Sequence, residues 1–125
     1  GKCMKMKIIE QNNLVVAVVE NDSPQITSAQ SALDLLMEAQ YGFGCSRLAV
    51  PKEALPEDFF VLSTGLAGEI LQKFINYQGK IAVYGDFSHY RSKPLRDFIY
   101  ESNKGKDVFF VSTREEAVKR LFEAK

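Results

Sequence analysis

Two segments of the sequence contain side chains that could bind or carry an anion. The first is residues 62–69 (LSTGLAGE), which follows an irregular stretch and opens a helical pattern. Ser63 and Thr64 place two hydroxyls at a helix N-terminus, where the helix dipole and unpaired N–H groups favour an anion or an attached phosphate. Gly65 and Gly68 lack side chains that would hold the backbone away from a neighbour. The alternative is that Ser63 or Thr64 only caps the helix and that the glycines let it lie close on a sheet.

A second polar segment, residues 85–92 (GDFSHYRS), follows a short apolar run. Asp86 comes directly after the predicted strand, a frequent place for a functional carboxylate in a parallel sheet. Ser88 lies in the same loop. His89 is the only histidine, and a single histidine in a polar loop is typical of a solvated side chain. We therefore take Asp86 and Ser88 as candidate binding residues and predict no metal site.

Basic side chains gather where the next helix begins. Arg91 and Arg96 flank Ser92, the predicted cap of that helix, and together these residues could bind an anion. The alternative is that the arginines and Lys93 form ion pairs on a solvated surface. The acidic candidates for such pairs are Asp86, Asp97 and Glu101.

The sequence contains none of the common catalytic or cofactor motifs. There is no nucleophile elbow, P-loop, zinc-ligand spacing or dinucleotide fingerprint. The two cysteines, Cys3 and Cys45, do not form a Cys-x-x-Cys pair, and Cys45 is expected to be buried and unreactive. We therefore predict no cofactor, and no residue pattern argues positively for an enzyme.

The composition is that of one globular domain. With 125 residues, 46% of them hydrophobic, the chain can bury a single core, and we expect one domain over residues 1–125. Its 16 basic and 16 acidic residues give zero formal net charge, so no overall field attracts nucleic acid or an anionic membrane. The apolar runs are too short for a membrane span, and no signal peptide is recognisable. With so few cysteines, these features predict a soluble, cytoplasmic protein.

Hydrophobic periodicity predicts alternating strands and helices. The apolar run at residues 14–20 indicates a strand buried on both faces, and residues 11–13 (QNN) predict a hairpin before it. Strands are predicted at 4–10, 14–20, 47–50, 80–84 and 108–111. Helices are predicted after Thr27 or Ser28, over 65–78, from Ser92 to near Gly105, and after Thr113, with Asn103 or Gly105 left-handed. The order ββαβαβαβα predicts an α/β fold with a mostly parallel five-stranded sheet and an N-terminal antiparallel hairpin.

Two family resemblances arise at these segments. Residues 59–110, with the strings FFVLSTGLAGEILQKFINY, GDFS and LRDFIYESN, are similar to a small bacterial family described as a domain of unknown function, DUF4180. More distantly, the element order and the STGL turn resemble STAS domains, the family of anti-anti-sigma factors and transporter tails. The STAS turn reads Asp-Ser-Ser/Thr-Gly-Leu, and in the regulatory branch a partner kinase phosphorylates its first serine. The resemblance implies a STAS-like fold of two or three layers with Ser63 at the phosphorylated position, although Leu62 stands where the family has aspartate.

Two functional hypotheses follow. The first is a non-enzymatic, STAS-like regulatory or protein-interaction domain that uses the Ser63 turn and the neighbouring Asp86 loop. The second is a small-anion or nucleotide-binding domain, with or without enzymatic activity, that uses the helix starts at Ser63 and Ser92 with Arg91 and Arg96. A concave pocket between Asp86, Arg91 and Ser63 would favour the ligand, and a flat apolar patch would favour a partner protein. A homodimer formed through exposed aromatic side chains is a further hypothesis, and burial of these side chains within the monomer is its alternative. The candidates are Tyr41, Phe43, Phe59 and Tyr90.

Overall fold

A computed structural model describes residues 6–20 and 26–125 of the chain. The elements are β1 (Met6–Gln11), β2 (Leu14–Val19), α1 (Ala29–Phe43), β3 (Arg47–Pro51), α2 (Leu66–Asn76), β4 (Lys80–Tyr84), α3 (Lys93–Asn103), β5 (Val108–Val111) and α4 (Arg114–Glu123). The strands lie side by side in sequence order, with β1 antiparallel to β2 and the other neighbours parallel. The predicted α/β fold is therefore confirmed. Residues 4 and 5 of the predicted first strand lie outside the described residues.

Helices cover both faces of the sheet, so the fold has three layers. Parallel neighbours need crossover connections of one hand, and these place α1, α2 and α3 together on one face. The last helix, α4, packs on the opposite face through Ala117 and Leu121. Strand β2 contributes to both cores, since Ala17 and Val19 face the three-helix layer whereas Val16 and Val18 face α4. The strand predicted to be buried on both faces is thus buried on both.

The first two strands are joined by the predicted asparagine turn. Asn12 has φ 51° and Asn13 has φ 68°, both in the left-handed region. Two consecutive left-handed residues match the right-handed twist of the flanking strands, and asparagine tolerates this conformation better than most residues.

The helix ends differ in part from the sequence prediction. Ser28 caps α1 as expected, and the left-handed Gly44, with φ 62°, ends the helix. Ser92 caps α3, again as expected. The prediction of a left-handed Asn103 or Gly105 was wrong, because α3 ends in the right-handed Lys104, with φ −81°. The side chain of Asn103 bonds instead to strand β5.

Candidate functional site

The segment between β3 and α2 carries the Ser63 turn. The sequence predicted an irregular stretch here, and the structure contains three short 3-10 turns, Lys52–Ala54, Glu57–Phe60 and Leu62–Thr64. Phe59 and Phe60 anchor the middle turn in the core, with 0% and 4% of their surface exposed. The Ser63 turn therefore follows directly on a buried anchor at the carboxyl end of the sheet, where α2 begins.

The Thr64 hydroxyl stabilises this turn. It lies 2.9 Å from the carbonyl oxygens of both Asp58 and Val61, to either of which it can donate, and it accepts the Leu66 N–H at 3.3 Å. A hydroxyl has one hydrogen and two lone pairs, so these contacts use its bonding capacity. Thr64 is consequently part of the local backbone structure.

Ser63 differs from its neighbour. Its side chain is exposed, and no hydrogen bond to its hydroxyl is formed by the residues at 6–20 and 26–125. The prediction that Ser63 or Thr64 caps α2 was wrong, because the N-cap is Gly65, which has no side chain. Gly65 adopts φ 80° and reverses the chain direction, so the Thr64 hydroxyl reaches only the first N–H of the helix. Helix α2 runs over Leu66–Asn76 rather than the predicted 65–78.

The two glycines of the turn have different roles. Gly65 needs its left-handed conformation, which is costly for any residue with a side chain. Gly68 was expected to allow a close approach, but a Cβ atom at this position would meet nothing within 4 Å. That expectation is therefore wrong, and Gly68 leaves an open space on the first turn of α2.

Two acidic residues lie near the start of α2. The Glu69 carboxylate lies 3.9 Å from the position that a Cβ atom of Gly65 would take, so a negative charge already sits at the positive end of the helix dipole. Asp58, whose carbonyl oxygen lies 2.9 Å from the Thr64 hydroxyl, is also exposed. A second anion at this helix start would meet these charges, which oppose its binding.

The Asp86 loop follows β4 at the same end of the sheet. The Asp86 carboxylate accepts the backbone N–H of Ser88 at 2.9 Å. Hydrogen bonding from Ser88, by its hydroxyl and by this N–H, lowers the pKa of Asp86 below the ordinary value of 3.8. Asp86 and Ser88 are therefore close neighbours, and both are exposed.

An aromatic cluster joins the Asp86 loop to the segment that carries Ser63. The Phe60 ring stacks on Tyr90 with centroids 5.0 Å apart and lies 6.0 Å from Phe87. The Lys52 ammonium is 3.4 Å from the Tyr90 hydroxyl and 5.1 Å from its ring centroid. Burial raises the pKa of Tyr90. Because Phe60 is three residues before Ser63, the two predicted segments belong to one packed region of the surface.

The cavity beside Asp86 does not match the predicted anion pocket. It has a volume of about 390 Å³. Its lining residues are Gly85, Asp86, Phe87, Ser88 and Ser112. Ser63 and Arg91 do not contribute to it, so the three residues predicted to enclose a ligand do not meet there.

The start of α3 offers few donors to an anion. The Ser92 hydroxyl accepts the Leu95 N–H at 3.3 Å, and Pro94 has no N–H to offer. Of the predicted ion pairs, Lys93–Asp97 is formed, with 2.7 Å between nitrogen and oxygen. Among the described residues neither Arg91 nor Arg96 makes an ion pair, and both side chains are exposed.

The predicted homodimer aromatics divide into two groups. Phe59 is fully buried and Tyr90 is half-buried in the aromatic cluster, so for these two the alternative of burial within the monomer holds. Tyr41 and Phe43 are exposed, by 86% and 49% of their surface. Sequence reasoning missed Val61, which is 49% exposed two residues before Ser63. The sequence signal that could have identified Val61 is the position of an apolar residue within an irregular stretch.

The described residues show no membrane span and no metal site. None of the helices there is both long enough and apolar enough to cross a bilayer. No group of three or more His, Cys, Asp or Glu side chains within residues 6–20 and 26–125 is arranged to hold a metal ion.

The architecture recurs in a solved structure. A Thermotoga maritima protein described as a candidate anti-sigma factor antagonist superposes with a TM-score of 0.52 and 13% sequence identity. The match covers 96% of this chain and 95% of that chain. A likeness at this identity concerns the fold, and the chain has the STAS-like fold that the sequence resemblance implied.

The family is given by the sequence. The family model described as Domain of unknown function (DUF4180) matches residues 11–121. The chain therefore belongs to the DUF4180 family, as the resemblance over residues 59–110 predicted. Among proteins with curated descriptions, none matches the sequence.

Proposed function

We propose that this chain is a non-enzymatic regulatory domain that binds a partner protein through a surface centred on Ser63. The observation that carries the proposal is the contrast between two adjacent hydroxyls. Both residues are exposed, but the hydroxyl of Thr64 is bonded to the backbone of its own turn, whereas that of Ser63 forms no hydrogen bond with residues 6–20 and 26–125. A turn held in one conformation with a free hydroxyl suits recognition or modification by another protein.

The surroundings of Ser63 support a protein partner. Val61 presents an exposed apolar side chain, and Gly65 and Gly68 leave the backbone accessible on the other side. Leu62 is half-buried against the core, so the position that is aspartate in STAS domains serves for packing in this chain. The Asp86 loop adjoins through Phe60. These features place apolar and polar groups side by side on an exposed surface, which is typical of protein interfaces.

Phosphorylation of Ser63 is the proposed regulation of this surface. A phosphate carries a charge of about −1.5 to −2 at neutral pH. Glu69 and Asp58 would repel it, and a partner bound over the turn would have to accommodate both the charge and its hydration. We therefore expect the modification to release a partner.

The test is partner binding by charge variants. The partner is captured from the native cell by affinity purification, and its affinity for purified variants is then measured by calorimetry. We expect Ser63→Asp to weaken binding by about tenfold, which corresponds to about 1.4 kcal/mol, and Ser63→Ala to leave it unchanged. The matched control is Gln11→Glu, which adds the same charge at an exposed position of β1, outside the three-helix layer. Equal affinities for the Ser63→Asp and Gln11→Glu variants would contradict the proposal.

Phosphorylation of Ser63 can be tested directly. Mass spectrometry of the protein from the native cell identifies any phosphate on Ser63 or Thr64. We expect it on Ser63, since the hydroxyl of Thr64 is already bonded. A phosphate on Thr64 alone would contradict this assignment.

The alternative is a small-anion or nucleotide-binding domain, with or without enzymatic activity. It draws on Arg91 and Arg96, which make no ion pair within the described residues. It has less support for two reasons. The negative charge of Glu69 lies at the start of α2, where it opposes a second anion, and Pro94 has no N–H to donate at the start of α3. Titration of the labelled protein with phosphate and with ATP tests it. Saturable changes at the backbone N–H of Lys93 would favour it over the partner-binding role.

The proposed function also includes a cellular compartment and an oligomeric state. We propose a single domain that works in the cytoplasm, where Cys45 stays reduced and buried. A homodimer is proposed through Tyr41 and Phe43, which are the exposed members of the aromatic set. Light scattering of the wild type and of Tyr41→Ser measures the mass, and a monomer in both at high concentration would reject the dimer.

A further inference from the structure

A groove lies between α2 and α3, separate from the Ser63 turn itself. Its volume is about 340 Å³. Apolar side chains that line it are Leu71, Ile75, Phe98 and Val108. Pockets of about 300–1,000 Å³ hold small ligands, so this groove has room for an anchoring side chain or two but not for a whole helix.

The groove continues the surface that surrounds Ser63. Gly68 lines one end of it and lies on the first turn of α2, three residues after Gly65. Ile75, at the other end of α2, lines the groove and is 48% exposed. A partner that covers the Ser63 turn and follows the α2 axis would therefore cross this groove.

The exposed apolar side chains lie on the same layer of the fold, which is formed by α1, α2 and α3. The described residues have six large hydrophobic side chains that are exposed, and every one lies on α1, α2, α3 or a connection next to them. They are Tyr41, Phe43, Val61, Ile75, Tyr77 and Tyr100. Helix α4 on the opposite face contributes none. Such an asymmetry points to the three-helix layer as the interaction face.

The charges on the groove are of one sign. Its two charged lining residues are Glu101 and Asp107. The Asp107 carboxylate pairs at 2.9 Å with Lys80, whose side chain is only 12% exposed. This carboxylate is therefore not free to pair with a cation of the partner. Glu101 pairs at 3.3 Å with Lys104, and both of these side chains are more than half exposed. An exposed pair of this kind contributes little free energy and exchanges readily, so Glu101 is available to another cation.

We propose that the groove binds an apolar side chain of the partner protein that lies next to an arginine or lysine, which pairs with Glu101. The apolar anchor fills the space over Leu71 and Phe98, and the neighbouring cation displaces Lys104 from Glu101. Buried anchors of this type carry a large share of the affinity of protein interfaces. The inference rests on the proposed partner-binding function, and it adds the chemistry that the partner must present.

The probe is a pair of short synthetic helical peptides. One carries two leucines on one face with arginines beside them, and the other has glutamate in place of each arginine. Each is titrated into the ¹⁵N-labelled protein. For the arginine peptide we expect saturable shifts confined to the amides of the groove, including Gly68 and Gly105, and an affinity about tenfold higher than that of the glutamate peptide.

Two variants test the groove itself. Gly68→Leu fills the groove from a position with open space around its Cβ atom, and Gly42→Leu adds the same side chain at an equally open position on α1. Both should fold, because leucine is the better helix former. We expect Gly68→Leu to lower the affinity for the arginine peptide by about tenfold. Gly42→Leu should leave that affinity unchanged.

Two further variants test the charge. Glu101→Gln keeps the size of the side chain and should remove most of the preference for the arginine peptide. Lys104→Gln removes the competing cation and should leave that affinity equal or higher. Equal binding of the two peptides, shifts outside the groove, or an unchanged affinity in Gly68→Leu would each overturn the proposal.

The outcomes separate this inference from the function on which it rests. If the peptide binds in the groove but Ser63→Asp leaves the natural partner unaffected, the Ser63 function fails and the groove stands. If Ser63→Asp weakens the natural partner but Gly68→Leu affects neither peptide nor partner, the groove fails and the Ser63 function stands.

Discussion

The carboxamide of Asn103 pairs with both backbone groups of Phe110. Its Nδ2 donates to the Phe110 carbonyl at 3.0 Å, and its Oδ1 accepts the Phe110 N–H at 2.8 Å. Among the strands of residues 6–20 and 26–125, β5 lies at the edge of the sheet, with β4 as its one neighbour. The side chain of Asn103 therefore takes the place of a further strand, and it closes an edge to which another chain could otherwise pair.

Removal of this amide should cost stability and expose the edge. In Asn103→Ala the buried N–H and carbonyl of Phe110 lose their partners, and we expect the free energy of unfolding to fall by about 2 kcal/mol. Urea denaturation measures it, and light scattering follows aggregation at the opened edge. The control is Asn76→Ala on the exposed side of α2, where we expect a change within about 0.5 kcal/mol. Equal effects of the two substitutions would show that the edge contact contributes nothing.

The two glycines near Ser63 should respond to alanine in opposite directions. Gly65→Ala forces a side chain into φ 80° and should lower the free energy of unfolding by about 1–2 kcal/mol. Gly68→Ala replaces an exposed helical glycine in open space and should raise it by about 0.5–1 kcal/mol. Thermal and urea unfolding of the two variants checks both signs. A gain in Gly65→Ala would mean that the turn does not need the left-handed conformation.

The sheet could be predicted from the sequence because its signals are local. Residues 14–19 are apolar without interruption, and the paired asparagines at residues 12 and 13 suit a tight turn between strands. The strand–helix alternation then leaves few arrangements that keep crossover connections right-handed. These features depend on a few neighbouring residues, and they were predicted with small errors in boundary.

The details of the candidate site depend on contacts that hydrophobic periodicity does not encode. Nothing local distinguishes a Phe59 that is buried from one that is exposed, and its burial follows from the 3-10 turns that form after β3. The same turns bring the Asp58 carbonyl to Thr64, which is why that hydroxyl serves its own turn rather than the N-terminus of α2. The prediction for Asn103 was wrong for the same reason, because its side chain bonds to Phe110 on the following strand, β5.

The hydrogen bonds of Ser88 should give Asp86 an observable acid titration. The pKa of Asp86 is lowered, so its carboxylate favours the folded state above about pH 3.8, and this contribution is lost as the pH falls through the folded pKa. In ¹³C spectra we expect a midpoint below 3.8 for the wild type. Ser88→Ala should raise the midpoint towards the ordinary value, though not fully, since the backbone N–H remains. A midpoint that does not move in Ser88→Ala would refute this explanation.

The two hydroxyls of the turn should differ in their effect on stability. Thr64→Val keeps the shape of the side chain but removes a hydroxyl that bonds to Asp58, Val61 and Leu66, and should lower the free energy of unfolding by about 1–2 kcal/mol. Ser63→Ala removes a hydroxyl with no such bonds and should stay within about 0.5 kcal/mol of the wild type. Urea denaturation separates the two. If Ser63→Ala were the more destabilising, the hydroxyl of Ser63 would be part of the fold, and it would not be free for a partner.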